Sequence, residues 1–182
     1  MLIHELTRQA SLDVLARTHF GRLACSQQMQ PYIVPFNFAY QNNCLHSLSM
    51  PGQKIDWMRA NPLVCVEVDQ MRREQWTTVV VFGRYEELSD TAEMRSEYAI
   101  ALGLLRQRAV WWEPGSVKIT QGGMPPALVP ILYRINIVQI TGRHATFDPG
   151  APDTRQPTTR QPTANSAKRG WLHKLLRRVR RR

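Results

Sequence analysis

Residues 31–49, PYIVPFNFAYQNNCLHSLS, decide the fold. From 31 to 40, Tyr32, Val34, Phe36, Phe38 and Tyr40 alternate with Ile33, Pro35, Asn37 and Ala39. That period of two is a strand with one face turned to a core. Gln41-Asn42-Asn43 reads as a hairpin turn, and Cys44–Ser49 pairs back. An antiparallel hairpin of aromatic and apolar residues is therefore the seed of the sheet.

On the N-terminal side, GRLACS (21–26) is a further strand. A short helix is expected over 11–18, capped by Ser11 and buried through Leu12, Leu15 and Ala16. On the C-terminal side, a short helix follows Pro51-Gly52. It buries Ile55 and Met58 and stops at Asn61-Pro62. Strands are expected at 63–69, 76–88 and 131–143, the middle one central because Val79–Phe82 is continuously apolar. Between the last two, Ser89 and Glu93 suggest a capped helix, followed by a loop with Trp111 and Trp112. About six strands, joined mostly by hairpins, imply a mainly β, antiparallel barrel with peripheral helices.

The 182 residues suffice for one domain with a real core. No apolar run approaches the roughly 20 residues of a spanning helix, and no signal peptide is evident. Cys25, Cys44 and Cys65 have no metal-ligand spacing, so reduced thiols in a cytoplasmic protein are expected. The net charge of +10 is unevenly placed. Residues 1–148 carry 14 basic and 13 acidic side chains; residues 149–182 carry 10 basic and one acidic. The body, 1–148, is thus nearly neutral. Residues 149–167 are Pro/Thr/Gln-rich with almost no apolar side chain, the composition of a disordered linker. Residues 168–182, KRGWLHKLLRRVRRR, place Trp171, Leu172, Leu175, Leu176 and Val179 at helical spacing among basic residues. Such a tail suits an anionic membrane surface, a nucleic acid, or no partner beyond solvent.

No catalytic constellation stands alone. The five histidines have no paired carboxylates, and there is no phosphate-cradling glycine loop. Chemistry would have to come from a cofactor. The best candidate site is SMPGQK, 49–54. A lysine in the first turn of a helix opposes the helix dipole, unless an anion rests there. Ser49 offers a hydroxyl, Gly52 close approach to the backbone, Gln53 an amide and Lys54 a charge, which together suit a phosphate monoester.

GRLAC, PYIVPFNFAY, LSMPGQKIDWMRANP, VCVEVD and VVVFGRYEEL, in this order, resemble the FMN-binding split barrels related to pyridoxamine 5′-phosphate oxidase. The nitroimidazole-resistance branch is the most similar, and the resemblance runs from about Leu12 to Arg143. It implies a homodimer with FMN at the subunit interface. It places Gln53 and Lys54 at the FMN phosphate, with Ser47, Leu48 and Ser49 lining the approach. Val34, Pro35, Phe36 and Asn37 would edge the isoalloxazine ring, Trp76, Thr77 and Thr78 would lie at a second flavin-contacting strand, and Trp111 and Trp112 would cover the partner's flavin or fill the interface. Two departures stand out. Gln53 replaces the arginine that pyridoxamine phosphate oxidases set beside the lysine. Their arginine-rich C-terminal substrate segment has no counterpart after ITGRHATFD, which argues against pyridoxal phosphate synthesis. The implied function is a flavin-dependent oxidoreductase acting on a small electrophile. The alternative is a non-catalytic flavin- or haem-binding module of the same fold.

Overall fold

The computed structural model describes residues 1–108 and 129–147. In chain order these form β1 (Leu2–Glu5), α1 (Arg8–Arg17), β2 (Phe20–Gln27), β3 (Gln30–Asn37), β4 (Ala39–Gln41) and β5 (Cys44–Ser49). Then come α2 (Gln53–Ala60), β6 (Leu63–Met71), β7 (Gln75–Glu87), α3 (Arg95–Gln107) and β8 (Ile131–Thr146). The compact unit that holds them runs from Met1 to Pro149. Trp111, Trp112, the 149–167 linker and the 168–182 tail lie outside the described residues.

Every pairing is antiparallel, and the sheet order is β3-β2-β6-β7-β8-β5-β4, with β1 added on β8. β3 and β4 are opposite ends of this path, yet only Phe38 separates them in the chain. Asn37 and Ala39 can be no more than about 7 Å apart. The sheet must therefore curl until its two ends meet, which makes it a split barrel. Phe38 is buried, and its N–H donates to His19 O at 2.9 Å, which fixes the corner.

The inward faces supply one core: Leu23, Phe36, Phe38, Leu45, Val66, Val68, Val79, Val81, Tyr133 and Ile135. Phe36 stacks between Phe38 and Tyr133, with ring centroids 5.4 and 6.4 Å away. α1 contributes Val14 and Leu15 to this core, α2 Ile55 and Met58. α3 covers β4 and β5 from outside, where Ala39, Leu88, Ala101, Leu105 and Leu132 form a second cluster. The Asn42-Asn43 turn has φ of 50° and 60°, the conformation asparagine tolerates in a two-residue hairpin.

Several sequence expectations change. The 31–40 strand is two strands, because the alternating pattern runs straight through the Phe38 corner and hides it. α1 starts earlier: Thr7 is its cap, accepting from Ala10 N at 3.2 Å, while Ser11 is buried inside the helix and donates to Thr7 O at 3.0 Å. Ser89 caps nothing; α3 begins at Arg95 after Met94, with no side-chain cap. β1 is an added strand whose apolar residues are exposed, so it carries no core-facing pattern.

Two close approaches set the curvature. A Cβ on Gly21 would lie 2.5 Å from the backbone oxygen of Glu67. At Gly83 a Cβ would strike Ile135, and there the β7–β8 register shifts, leaving Val138 as the extra residue of a bulge. Gly21→Ala should therefore cost about 1–3 kcal/mol, since backbone must move; an unchanged urea midpoint would contradict this packing. Glu87 contributes to the acid response, as does Glu86, whose carboxyl is lowered chiefly by its hydrogen bond from Arg134. At Glu87, the hydrogen bond from Arg59 Nε (2.5 Å) and then that from Tyr85 Oη (2.8 Å) hold the carboxyl below the ordinary range. Stability from this group is present above the unfolded glutamate pKa and lost as pH falls through the folded one. Glu87→Gln should flatten the acid side of the stability–pH curve.

Candidate functional site at the split of the barrel

Among the described residues β3 pairs only with β2, so the other edge of Val34–Asn37 carries backbone groups with no ladder partner there. Pro31 and Pro35 fit such an edge strand, since neither has an N–H to offer. Across the split stands β5. The two edges are bridged where Ser47 Oγ donates to Asn37 O at 2.7 Å. Among the described residues the Asn37 Oδ1 atom is buried without a hydrogen-bond partner, as are the Tyr133 hydroxyl, Gln41 Oε1 and His46 Nδ1. Asn37 lies at the end of the β3 edge, while Tyr133 lies in the core on β8, opposite Ser47.

α2 closes this end. Gly52 precedes it with φ 155° and ψ −177°, a region open almost only to glycine. No side chain caps the helix, so the N–H groups of its first turn face outward for an anion. Gln53 is exposed and Lys54 half-buried on that turn. Three ties hold the helix. Trp57 packs on Tyr32 with centroids 5.5 Å apart, Asn61 Nδ2 donates to Ser26 O at 3.1 Å, and Arg59 pairs with Glu87.

Lys54 belongs to none of the ion pairs among the described residues. Burial pushes its ammonium below the ordinary lysine value, and the nearby Cys25 thiol offsets this only in part. Burial raises the Cys25 thiol in turn, against the pull of Lys54. The Tyr133 phenol is raised as well, chiefly by its complete burial. A half-buried cation without a carboxylate is an electrostatic debt that a bound anion would settle.

The candidate residues do not all meet in one chain. Ser47 and Ser49 are buried on the side of β5 opposite Leu48, which packs under α3. Ser49 Oγ donates to Met50 O at 3.1 Å, which fixes the turn before α2. Phe36 is core, and Val34 packs against it, so both would contribute through the backbone edge alone. Pro35, Asn37 and Thr78 lie on the outward face. There Asn37 is opposite Phe20 and Thr78 opposite Asp69, with Arg22 opposite Pro35 and Glu67 in the adjoining row. Thr78 is thus three strand spacings from β3, about 14 Å. Its hydroxyl donates to Glu67 Oε1 at 3.2 Å, while Arg22 pairs with Asp69 at 2.8 Å. Thr77 faces the other way and bonds His144 Nδ1 at 2.9 Å; Trp76 is half-buried at the end of β7. Arg22, Cys25 and Tyr133 escaped the sequence reading. A polar tip at inward positions of otherwise apolar strands was the available signal for Cys25 and Tyr133.

The arrangement offers an anion site at a helix start, a free strand edge beside it, and a polar row three strands away. Comparison with known proteins identifies the family. The family model described as pyridoxamine 5′-phosphate oxidase matches residues 7–144. An uncharacterised protein of Rhizobium meliloti (strain 1021) is 40% identical over 146 residues, which are 80% of this chain and 97% of that one. The crystal structure of a FAD-binding protein from Mesorhizobium loti is 40% identical, covers 80% of this chain and 100% of its own, and superposes with a TM-score of 0.68. A protein assigned to 5-nitroimidazole antibiotic resistance in Bacteroides thetaiotaomicron shares the fold at 19% identity, with a TM-score of 0.59 over 79% of this chain and 89% of its own. By its strand order, its curled sheet and the extent of these matches, the chain is a member of the pyridoxamine 5′-phosphate oxidase family of split barrels.

Proposed function

We propose that this protein binds FMN at the split of the barrel and is a flavin-dependent oxidoreductase for a small electrophilic substrate, such as a nitroaromatic or quinone-like compound. The observation that carries the reading is Lys54, a half-buried ammonium beside a glycine-led, uncapped helix start and without a carboxylate partner among the described residues. A phosphate there would pair with the ammonium and take the N–H groups of the first turn. The unladdered edge of Val34–Asn37 would then meet the polar rim of the flavin ring, and Asn37 Oδ1 would gain a donor. When bound, the flavin would supply the hydride-transferring centre. The chain's own part is to hold the phosphate, orient the ring and exclude water.

The site as read needs two copies of the chain. Thr78 cannot reach the β3 edge of its own protomer, but a two-fold axis can bring it to the partner's. The outward face offers a surface for this: Ile33, Leu63, Phe82 and Val138 are exposed around Ala24 and Cys65. A homodimer is therefore part of the proposal. FAD is a second reading, favoured by the name of the similar Mesorhizobium loti protein and by Gln53. A phosphate inside a diphosphate carries less charge than a terminal monoester, and one cation suits it.

Lys54→Ala should weaken FMN binding by about 1.5–3 kcal/mol, the range for hydrogen bonds to charged groups, and leave riboflavin nearly unaffected. Equal loss for both ligands would overturn the phosphate assignment. The same titration with FAD separates the two readings. Bleaching of the bound flavin by a reduced nicotinamide would support the oxidoreductase, and a flavin that no reductant reaches would count against it.

Lys54 also makes a prediction without ligand. Its folded pKa lies below the unfolded one, so the unfolded chain binds the proton more tightly. The cost is present below the folded pKa and is relieved as pH rises towards the ordinary lysine value. Ligand-free Lys54→Met should be no less stable than the parent at neutral pH and should lack this alkaline gain. A clear fall in its melting temperature would show that Lys54 is structural. Light scattering should give a dimer; a monomer that binds FMN tightly would refute the shared site.

A further inference from the structure

Two of the chain's five histidines, His4 and His144, lie directly opposite each other across the β1–β8 ladder. The flavin reading uses neither. Their row continues through Thr77 on β7 to Gln70 on β6. It lies on the opposite face of the sheet from Thr78 and Arg143, away from the proposed flavin contact. The next row on the same face, Gly142, Val79 and Val68, is buried, so the polar row closes the barrel just beyond its core. β1 adds nothing to that core, since all four of its residues are exposed.

Directly opposite residues of an antiparallel pair have Cβ atoms about 4.5–5.5 Å apart, so two imidazoles there can reach one atom between them. His144 is half-buried, and its Nδ1 is held by the Thr77 hydroxyl at 2.9 Å. An imidazole whose Nδ1–H donates to a second group keeps the lone pair of Nε2, which is the tautomer that binds metals. His4 is exposed, so its ring can turn to meet the other. With both rings protonated the pair would repel; with both neutral it is a chelate.

We propose that His4 and His144 bind a late first-row divalent cation, such as Ni²⁺, Cu²⁺ or Zn²⁺, through their Nε2 atoms, with Thr77 as the positioning residue for His144. Among the described residues no group of three or more His, Cys, Asp or Glu could hold a metal, so the protein supplies two ligands and water fills the other positions. The ligand type selects the ion: imidazole suits Zn²⁺, Cu²⁺ and Ni²⁺, whereas Mg²⁺ and Ca²⁺ take oxygen. The ion would cross-link β1 to β8, a tie that the exposed side chains of β1 do not supply. Because the unfolded chain does not hold the two rings together, binding adds stability by mass action.

The test is titration of the full-length protein, without a polyhistidine tag, with NiCl₂ in a non-chelating buffer above the ordinary histidine pKa of about 6.5. A saturable site, a raised melting temperature and slower hydrogen exchange over Leu2–Glu5 are expected, and MgCl₂ should produce none of these. Binding should fall as pH drops through the histidine range, because protons compete for the same nitrogens. His4→Ala and His144→Ala should each weaken Ni²⁺ binding at least tenfold. Thr77→Val should weaken it about tenfold, the lower range for a group that orients a ligand, while Thr77→Ser, which keeps the hydroxyl, should bind as the parent does. His4 is exposed, so His4→Ala should melt with the parent when no metal is present and lose only the Ni²⁺-induced shift. Three results would overturn the proposal: no saturable Ni²⁺ site in the parent, an affinity that neither histidine substitution lowers, or Ni²⁺ binding that leaves exchange over β1 unchanged.

Discussion

The structure depends on one covalent constraint: a single residue, Phe38, joins the two opposite ends of the sheet. No flat or gently twisted arrangement satisfies it, so the sheet must roll. Rolling puts the Phe36, Phe38 and Tyr133 rings against one another inside. It needs Gly21 and Gly83 where backbones approach too closely for a Cβ. It also leaves β3 and β5 adjacent but unladdered, held by Ser47 on Asn37. The free edge of β3 is thus a consequence of closure. An unpaired edge invites aggregation, and the prolines at 31 and 35 limit that risk. The proposed ligand would occupy the same edge.

The groups gathered at the split are poor choices for stability. Lys54 is half-buried and lacks a carboxylate partner among the described residues, Gly52 holds a conformation closed to other residues, and Asn37 and Tyr133 keep buried polar atoms unmet. Elsewhere the same chain satisfies its charges well. Arg134 reaches Glu86 at 2.8 Å, Asn136 reaches the same carboxylate at 2.7 Å, and Glu87 is shared by Arg59 and Tyr85. Gln41 Oε1 and His46 Nδ1 are also buried without a partner, so the feature particular to the split is the half-buried Lys54 ammonium beside Gly52, which the proposed ligand would neutralise.

Much of this was legible in the sequence. Period-two alternation found the strand around Phe36, a continuous apolar run found the central one, Asn42-Asn43 marked the hairpin, and the short helix that starts at Gln53-Lys54 was read where it lies. Other features carry no local signal. The Phe38 corner keeps the alternation on both sides of it, so only the strand order exposes it. Thr7 and Ser11 are both acceptable caps, and packing of Ser11 against Gly142 chose between them. β1 buries nothing of its own and exists because β8 has an edge to offer. That Asn37 and Thr78 fall on one face, three strands apart, follows from register, which single-strand reading does not contain.

The central claim is that the proposed flavin site is built from two copies, Lys54 and the β3 edge of one with Thr78 of the other. Subunit mixing tests it most directly. Lys54→Ala and Thr78→Arg proteins, each defective in FMN binding, are unfolded together, refolded and titrated. In a mixed dimer one site carries both substitutions and the other carries neither. Random pairing should therefore restore tight binding in about a quarter of the sites. If the mixture binds no better than its components, the site lies within one protomer and the shared-site account is wrong.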